Sequence, residues 1–143
     1  MTGIDTTFLI DLEITDSPRH EGALKLFEKW QKEEHSILAI YNQTFLEFQH
    51  VVTDAKRFYS PLTMEQALER SWFWIDQERV KIIYPCDNSL KRAQLWMAMH
   101  KLGRKRIQDT HMAAAFAEAG ISTIWTANPS DFEILEAFDL VKY

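Results

Sequence analysis

Cysteine is almost absent from this chain, which has a single one, Cys86, among 143 residues. An intramolecular disulfide is therefore impossible, and a zinc or iron-sulfur site built from several cysteines is excluded as well. A chain without disulfides is typical of a reducing compartment. We interpret Cys86 as a small residue packed in the interior.

Glycine and proline are also scarce, with four residues of each, and this leaves little room for linkers or low-complexity segments. The length predicts one domain that covers residues 1–143. The first residues lack the basic start and the long apolar stretch of a signal peptide, and no segment is long enough to span a membrane. We therefore expect a single domain in the cytoplasm, with no membrane partner.

An excess of positive charge is missing too, because the formal net charge is -5. This argues against a protein that coats nucleic acid nonspecifically. Basic residues nevertheless cluster at Lys101, Arg104, Lys105 and Arg106, just before Asp109. The cluster could steer a phosphate group, or it could be a solvated helix end where basic side chains suit the negative end of the helix dipole. The sequence leaves both interpretations open.

Strand-like apolar runs alternate with helical spacings along the whole chain. The predicted strands are Thr2–Ile4, Ser36–Tyr41, Val80–Tyr84, Ile121–Thr126 and Phe138–Val141. The predicted helices are Thr6–Glu13, Pro18–Glu34, Thr44–Phe58, Thr63–Asp76, one capped by Asp87 or Asn88 and ending at Gly103, Ile107–Gly120, and a short one from Asn128 onward. This alternation predicts an α/β three-layer sandwich, in which helices flank a central, mostly parallel sheet.

Polar residues lie where strand-like runs give way to helices: Asp5, Glu47, Asp109 and the pair Asn128 and Asp131. In an alternating fold such turns gather at one edge of the parallel sheet. Carboxylates crowded there are stable at neutral pH only if protons or cations offset their charge. Hard oxygen ligands with few partner histidines favour Mg²⁺ or Mn²⁺. The sequence therefore predicts a metal-dependent phosphodiesterase.

Helix capping offers a competing explanation for each of these residues taken singly. Asp5 could cap the helix that begins at Thr6, and Asp109 could lie at the start of its own helix. The segment from Thr44 to Glu47 has the spacing of a capping box. Asn128, Pro129 and Asp131 also form a typical helix start. Only the ordered set, not any single residue, favours a functional site.

Four segments carry a family resemblance. They are Ile4-Asp5-Thr6-Thr7-Phe8-Leu9-Ile10, Thr44-Phe45-Leu46-Glu47, the stretch from Gly103 to Ala115 around Asp109, and Thr126-Ala127-Asn128-Pro129-Ser130-Asp131-Phe132. In order and spacing this set resembles the PIN-domain nucleases, and most closely the VapC-type toxins. The resemblance covers nearly the whole chain, and the stretch around Asp109 is its most specific part.

The resemblance implies an endoribonuclease in which a quartet of acidic or amide residues binds one or two Mg²⁺ or Mn²⁺ ions. Asp5, Glu47 and Asp109 match the first three positions, and either Asn128 or Asp131 supplies the fourth. Thr6 and Thr126 are candidate hydroxyls to support the ligands. The family often has arginine where this chain has Ala127, so one phosphate contact is missing. Arg104, Lys105 and Arg106 of the basic cluster are the candidates for substrate binding. The family also implies a homodimer and a separate antitoxin partner.

Two other functions are alternatives to a nuclease. Glu47 and His50 have the Glu-x-x-His spacing of di-iron helix bundles, but those sites need a second copy, which the sequence lacks. A binding module that keeps the fold without catalysis is the second alternative. Asn128, Ala127 and the acidic composition favour it, whereas the three carboxylates would be an electrostatic burden without an ion.

The helix predicted at Thr63–Asp76 is apolar on too many faces for full solvation. Met64, Leu68, Trp72 and Ile75 form the predicted core stripe, while Phe73 and Trp74 fall outside it. A neighbouring helix that bears Leu95, Trp96 and Met99 could cover the remaining face. Alternatively, that face could bind a second copy of the chain or an antitoxin.

Overall fold

Five short strands form one sheet in a computed structural model that describes all of residues 1–143. They are β1 (Thr2–Ile4), β2 (Leu38–Tyr41), β3 (Val80–Ile83), β4 (Thr123–Trp125) and β5 (Asp139–Val141). Their spatial order is β3-β2-β1-β4-β5, and every neighbouring pair is parallel. The predicted α/β fold with a central parallel sheet is confirmed.

Helices connect the strands on both faces of the sheet. They are α1 (Thr6–Glu13), α2 (His20–Gln31), α3 (Thr44–Val52), α4 (Met64–Ile75), α5 (Asp87–Met99) and α6 (Ile107–Glu118). Short 3₁₀ helices lie at Arg104–Arg106, Pro129–Asp131 and Glu133–Leu135. None of the helices has the length and apolar character that crossing a bilayer requires. Most predicted elements are confirmed, with differences of a few residues at their ends.

The third helix is clearly shorter than predicted, because it ends at Val52 instead of Phe58. The hydroxyl of Thr53 donates to a carbonyl oxygen one turn earlier (2.8 Å). The Asp54 carboxylate accepts from the N–H of Lys56 (2.8 Å). Polar side chains that bond to nearby backbone in this way compete with the helical hydrogen bonds, so the chain turns away after Val52.

The start of α5 corrects two predictions. Cys86 occupies the capping position, instead of Asp87 or Asn88, and the Ser89 hydroxyl accepts from the N–H of Cys86 (2.8 Å). Cys86 is exposed, so its interpretation as a packed interior residue was wrong. The residue ends a strand-to-helix turn, where the chain runs over the surface.

A left-handed residue ends α5 before the predicted position. Lys101 has a φ of 50°, a conformation that cannot continue a right-handed helix. The helix consequently stops at Met99 and does not reach Gly103.

Alternate residues of the strands face two separate hydrophobic cores. Leu38 and Ile40 of β2 pack in the core beneath α1 to α4, whereas Ala39 and Tyr41 pack in the core beneath α5 and α6. Burial on both faces is the usual environment of parallel strands. The sheet is thus the middle layer of the predicted three-layer sandwich.

Close approach of α6 to β1 depends on a glycine in the central strand. A Cβ atom at Gly3 would lie 2.6 Å from the ring of Phe116, which is too short for any real contact. Phe116 belongs to α6 and is fully buried. Gly3 therefore lets the helix that carries Asp109 lie directly against the strand that leads into Asp5.

The buried face of α4 is not the predicted one. The predicted core residues Met64, Leu68, Trp72 and Ile75 are all exposed, and the buried residues are Ala67, Ser71 and Trp74. Trp74 is 1% exposed and its indole N–H donates to Oε1 of Glu13 (2.7 Å), whereas Trp72 is 61% exposed. Both faces of this helix carry large apolar residues, so their spacing did not distinguish the inner face from the outer one.

The outer face of α4 is not covered by α5, the helix that was predicted to pack there. The helix α5 packs against α6, and its Leu95 and Met99 side chains are exposed. The helix α4 packs against α3 and β3. Two separate apolar surfaces therefore face solvent, one on α4 and one on α5.

We expect Trp74→Ala to lower the free energy of unfolding by about 3–5 kcal/mol, because it leaves a cavity and removes the hydrogen bond to Glu13. Trp72→Ala is the matched control two residues away, and it should change stability by no more than about 0.5 kcal/mol. Urea unfolding monitored by circular dichroism measures both. Equal losses for the two variants would contradict the assignment of the inner face.

Candidate active site

The strand order reverses at β1, which has β2 on one side and β4 on the other. A crevice forms at such a switch point, outside the carboxyl ends of the strands. Asp5 directly follows β1, and its backbone N–H donates to the carbonyl of Trp125 at the end of β4 (3.0 Å). Thr126 and Asn128 come directly after β4. The fold thus brings the two ends of the chain together at one crevice.

The Asp5 carboxylate is held by two hydroxyl groups. Thr7 Oγ1 and Thr126 Oγ1 both donate to Oδ2 of Asp5, at 2.7 and 2.8 Å. Neither hydroxyl bonds to Oδ1 of Asp5. The side chain does not cap α1, although Asp5 occupies the capping position, so the capping alternative fails here. One oxygen is fixed by the protein, and the other is available to a ligand.

Thr7 is the residue that the sequence analysis missed. Thr6 was predicted instead, but its hydroxyl makes no hydrogen bond to Asp5, although Thr6 is buried. The signal was present in the sequence, because a hydroxyl two residues after an aspartate at a helix start can reach that carboxylate.

The same two threonines connect Asp5 to the segment after β4. Thr7 Oγ1 accepts from the N–H of Ala127 (3.4 Å), and Thr126 Oγ1 accepts from the N–H of Asn128 (3.0 Å). Each hydroxyl therefore donates to the carboxylate and accepts from backbone at once. Thr126 therefore bonds to a predicted ligand, and its role in supporting a metal site stays a prediction.

Glu47 and Asp109 flank a small cavity beside this crevice. The cavity is lined by Thr6, Tyr41, Gln43, Thr44, Glu47, Gln108, Asp109 and Met112. Glu47 is exposed in the first turns of α3, and Asp109 is partly buried in the first turn of α6. Neither helix starts with a side-chain cap, and the Thr44 hydroxyl contacts the sulfur of Met112 (4.0 Å) instead of forming a capping box. The capping explanation fails for this pair as well.

Burial and mutual repulsion raise the pKa values of two of these acids. The pKa of Asp5, which is 6% exposed, is raised by burial and further by the charge of Glu47, against the hydrogen bonds from Thr7 and Thr126. The pKa of Asp109 is raised to about 7 by burial, and then by the charges of Asp5, Asp131 and Glu47. The site therefore holds more negative charge than the protein itself neutralises.

Asn128 and Asp131 differ in exposure and in their bonding partners. The Asn128 side chain is exposed at the start of the Pro129–Asp131 helix and forms no cap there. Asp131 forms an ion pair with Arg106, whose guanidinium also donates to the carbonyl of Ser130 (3.2 Å). Asp131 and Arg106 both lie close enough to Asp109 to affect its pKa, the first raising it and the second lowering it.

The basic cluster lies before the start of α6. Arg104, Lys105 and Arg106 form the 3₁₀ helix that leads into α6, so they precede a helix N-terminus. The interpretation of these three residues as a solvated helix C-terminus was therefore wrong, since the N-terminal end of the dipole is positive. Arg104 and Lys105 are exposed and form no ion pair.

The donor set fits a hard divalent cation in its chemistry. Asp5, Glu47 and Asp109 supply carboxylate oxygens, and Asn128 supplies an amide oxygen. In their present positions, no group of three side chains from histidine, cysteine, aspartate or glutamate is close enough together to hold a metal ion. The raised pKa of Asp109 indicates the same need for a positive charge that a cation would satisfy.

Comparison with known proteins identifies the family. The sequence matches the family described as PIN domain over residues 4–136. The chain belongs to the PIN-domain family. A sequence comparison with curated proteins gave no significant match.

Solved structures share the fold of this PIN domain at low sequence identity. The toxin VapC20 of Mycobacterium tuberculosis, described as cleaving the sarcin-ricin loop, has a TM-score of 0.73 at 16% identity, with 100% of both chains covered. A toxin-antitoxin complex from Klebsiella pneumoniae has a TM-score of 0.66 at 20% identity, with 99% of this chain and 97% of that chain covered. VapBC2 from Rickettsia felis, bound to a DNA fragment from its promoter, has a TM-score of 0.69 at 16% identity over 99% and 98%. This PIN domain thus has the fold of VapC toxins, as the sequence resemblance predicts.

We expect the stability of the metal-free protein to fall between about pH 4 and pH 7 because of Asp109. Its pKa is raised on folding from 3.8, so the folded state binds the proton more tightly and loses this advantage as the pH rises. Asp109→Asn removes the effect. Relative to that variant, the wild type should lose about 1–2 kcal/mol across this range, after a discount for partial exposure.

Urea unfolding in chelator at several pH values measures this difference. Parallel stability curves for wild type and Asp109→Asn would contradict the raised pKa.

We expect Thr7→Val to weaken Mn²⁺ binding about 10- to 100-fold, because Asp5 loses a hydrogen bond that supports its charged form. Thr6→Val is the matched control, since that hydroxyl makes no bond to Asp5, and it should bind Mn²⁺ within about threefold of the wild type. Calorimetric titration of both variants with Mn²⁺ decides the matter. A weaker affinity for Thr6→Val than for Thr7→Val would reverse the assigned roles.

Proposed function

We propose that this protein is a divalent-metal-dependent endoribonuclease that hydrolyses RNA phosphodiester bonds and acts as the toxin of a toxin-antitoxin pair. The observation that carries the proposal is the group of acids at the switch point of the sheet. Asp5 is buried there beside Glu47 and Asp109, and burial, together with the charges of Asp5, Asp131 and Glu47, raises the pKa of Asp109 to about 7. An uncompensated group of this kind is costly unless a cation binds to it.

Asp5 and Asp109 are the proposed principal ligands of Mg²⁺ or Mn²⁺. Oδ1 of Asp5 is available for this role because both hydroxyl donors bind Oδ2. Glu47 is a further ligand or orients the attacking water, since it is exposed at the mouth of the cavity. Asn128 would occupy the fourth position as a weaker ligand, because an amide oxygen brings no charge.

Phosphodiester hydrolysis needs an activated water and stabilisation of negative charge on the phosphate. A bound divalent ion supplies both, by lowering the pKa of water and by acting as a Lewis acid. The protein contributes the rest. Thr7 and Thr126 fix the orientation of Asp5, and the narrow crevice excludes bulk water from that carboxylate. No histidine base is required.

Exposed basic residues beside α6 suit a polyanionic substrate. Arg104 and Lys105 form no ion pair. They precede Asp109 by less than two helical turns of sequence. Positive charges at the rim of an acidic site raise the local concentration of a phosphate backbone. RNA is proposed as the substrate because VapC20, which shares the fold, is described as cleaving the sarcin-ricin loop.

The proposed partners are an antitoxin and a second copy of the chain. Three of the structures with this fold are described as VapBC or toxin-antitoxin complexes. The exposed apolar face of α4, with Leu68, Trp72 and Phe73, lies next to a groove between α2 and α4 and is proposed to bind the antitoxin. The exposed Leu95 and Met99 of α5 are proposed to pack against the second copy.

Cleavage of a structured RNA pool by purified protein tests the function. We expect cleavage with Mn²⁺ or Mg²⁺, none with chelator, and a loss of at least about 100-fold in Asp109→Asn, because a metal ligand is removed. Asp16→Asn is the matched control, since it makes the same charge change at an exposed residue away from the site. It should cleave like the wild type.

Each outcome has a clear meaning. Equal cleavage by wild type and Asp109→Asn would indicate a contaminating nuclease and contradict the assigned site. An inert wild type that binds no divalent ion would favour the second candidate, a PIN domain that binds RNA or protein without catalysis. The amide at Asn128 and the alanine at position 127 are the observations that favour this candidate.

A further inference from the structure

Arg106 is the fixed member of the basic cluster. Its guanidinium bonds to Oδ1 of Asp131 and to the carbonyl oxygen of Ser130 (3.2 Å). These contacts tie the 3₁₀ helix that leads into α6 to the 3₁₀ helix that follows β4. Arg104 and Lys105, in the same turn, have no such partner.

The Asp131–Arg106 ion pair lies near Asp109 but does not line the cavity of the acidic site. Asp131 and Arg106 both act on the pKa of Asp109, so both charges are near that carboxylate. The cavity between Glu47 and Asp109 is not lined by Asp131. Oδ1 of Asp131 is held by the guanidinium of Arg106, so this carboxylate is oriented by the ion pair.

Arg106 keeps donors for a substrate. A guanidinium has five N–H groups, and Asp131 and Ser130 take only two of them. The Arg106 side chain is 28% exposed, so it is accessible from solvent. Arginine binds phosphate oxygens with this planar arrangement of donors.

We propose that Asp131 is a positioning residue and not a metal ligand: it holds the Arg106 guanidinium at the rim of the site, where Arg106 binds a nonbridging phosphate oxygen of the RNA. This inference rests on the proposed nuclease function. It also gives a counterpart for the phosphate contact that Ala127 cannot make. The ion pair serves orientation more than stability, because partly exposed pairs contribute only about 0–1 kcal/mol. Arg106 loses less conformational freedom on binding because it is already held in place.

Two separate binding measurements test the assignment. The first is calorimetric titration with Mn²⁺ in the absence of RNA, and the second is binding of a labelled RNA hairpin in chelator, where no cleavage occurs. We expect Asp131→Ala and Arg106→Ala each to weaken RNA binding about tenfold or more, the loss of one charge-assisted contact. Both variants should bind Mn²⁺ within about twofold of the wild type.

The double variant and cleavage kinetics test whether Asp131 acts through Arg106. If Asp131 acts through Arg106, the double variant Arg106→Ala, Asp131→Ala should bind RNA no more weakly than Arg106→Ala alone. In cleavage assays the two single variants should raise KM more than they lower kcat. Asp131→Asn, which keeps an oxygen acceptor, should recover part of the RNA affinity.

The opposite results would overturn the inference. A loss of Mn²⁺ affinity of about tenfold or more in Asp131→Ala, with RNA binding unchanged, would make Asp131 a ligand. Additive losses in the double variant, or RNA binding that is insensitive to Arg106→Ala, would also reject it. Failure of the nuclease function itself is distinct, since wild type and Asp109→Asn would then show the same absence of metal-dependent cleavage.

Discussion

Electrostatic repulsion among three neighbouring carboxylates, one of them buried, is the constraint on which the rest of this molecule depends. Asp5 is almost out of contact with water, and Glu47 and Asp109 face it across a narrow crevice. Two threonine hydroxyls donate hydrogen bonds to Asp5 and thereby stabilise its charged form. The glycine beneath Phe116 permits this closeness, because it lets α6 lie directly on β1. The geometry of the site is therefore a consequence of backbone packing beneath it.

Acidic and basic side chains cluster separately around the site, so the net charge of -5 does not describe the charge at the site. The negative charges range from the buried Asp5 to the exposed Glu47, and the positive ones lie in the turn before α6. Among these basic residues, Arg106 is anchored by Asp131, while Arg104 and Lys105 extend into solvent. Free cations suit long-range attraction of a polyanion, and an anchored one suits a single defined contact. The division of roles follows from one ion pair.

Much of the fold and part of the site could be predicted from the sequence. Apolar runs such as Leu38–Tyr41 and the acids that follow them were visible, because parallel strands buried on both faces have an unmistakable composition. The inner face of α4 was not predictable, since Trp72 and Trp74 are equally apolar and only tertiary packing distinguishes them. The pairing of Arg106 with Asp131 joins residues 25 positions apart, a separation at which no periodicity operates. The metal ligands themselves remain a prediction.

The hydrogen bond between Thr126 and Asp5 spans 121 positions of the sequence. The central strand β1 has β2, the next strand along the chain, on one side, and β4, which lies far along the chain, on the other. A growing chain can pair β1 with β2 early, but the crevice lacks one wall until the carboxyl-terminal strands dock. The two walls of the crevice are therefore joined only by the most non-local contacts of the fold, and these are the slowest contacts for a folding chain to form.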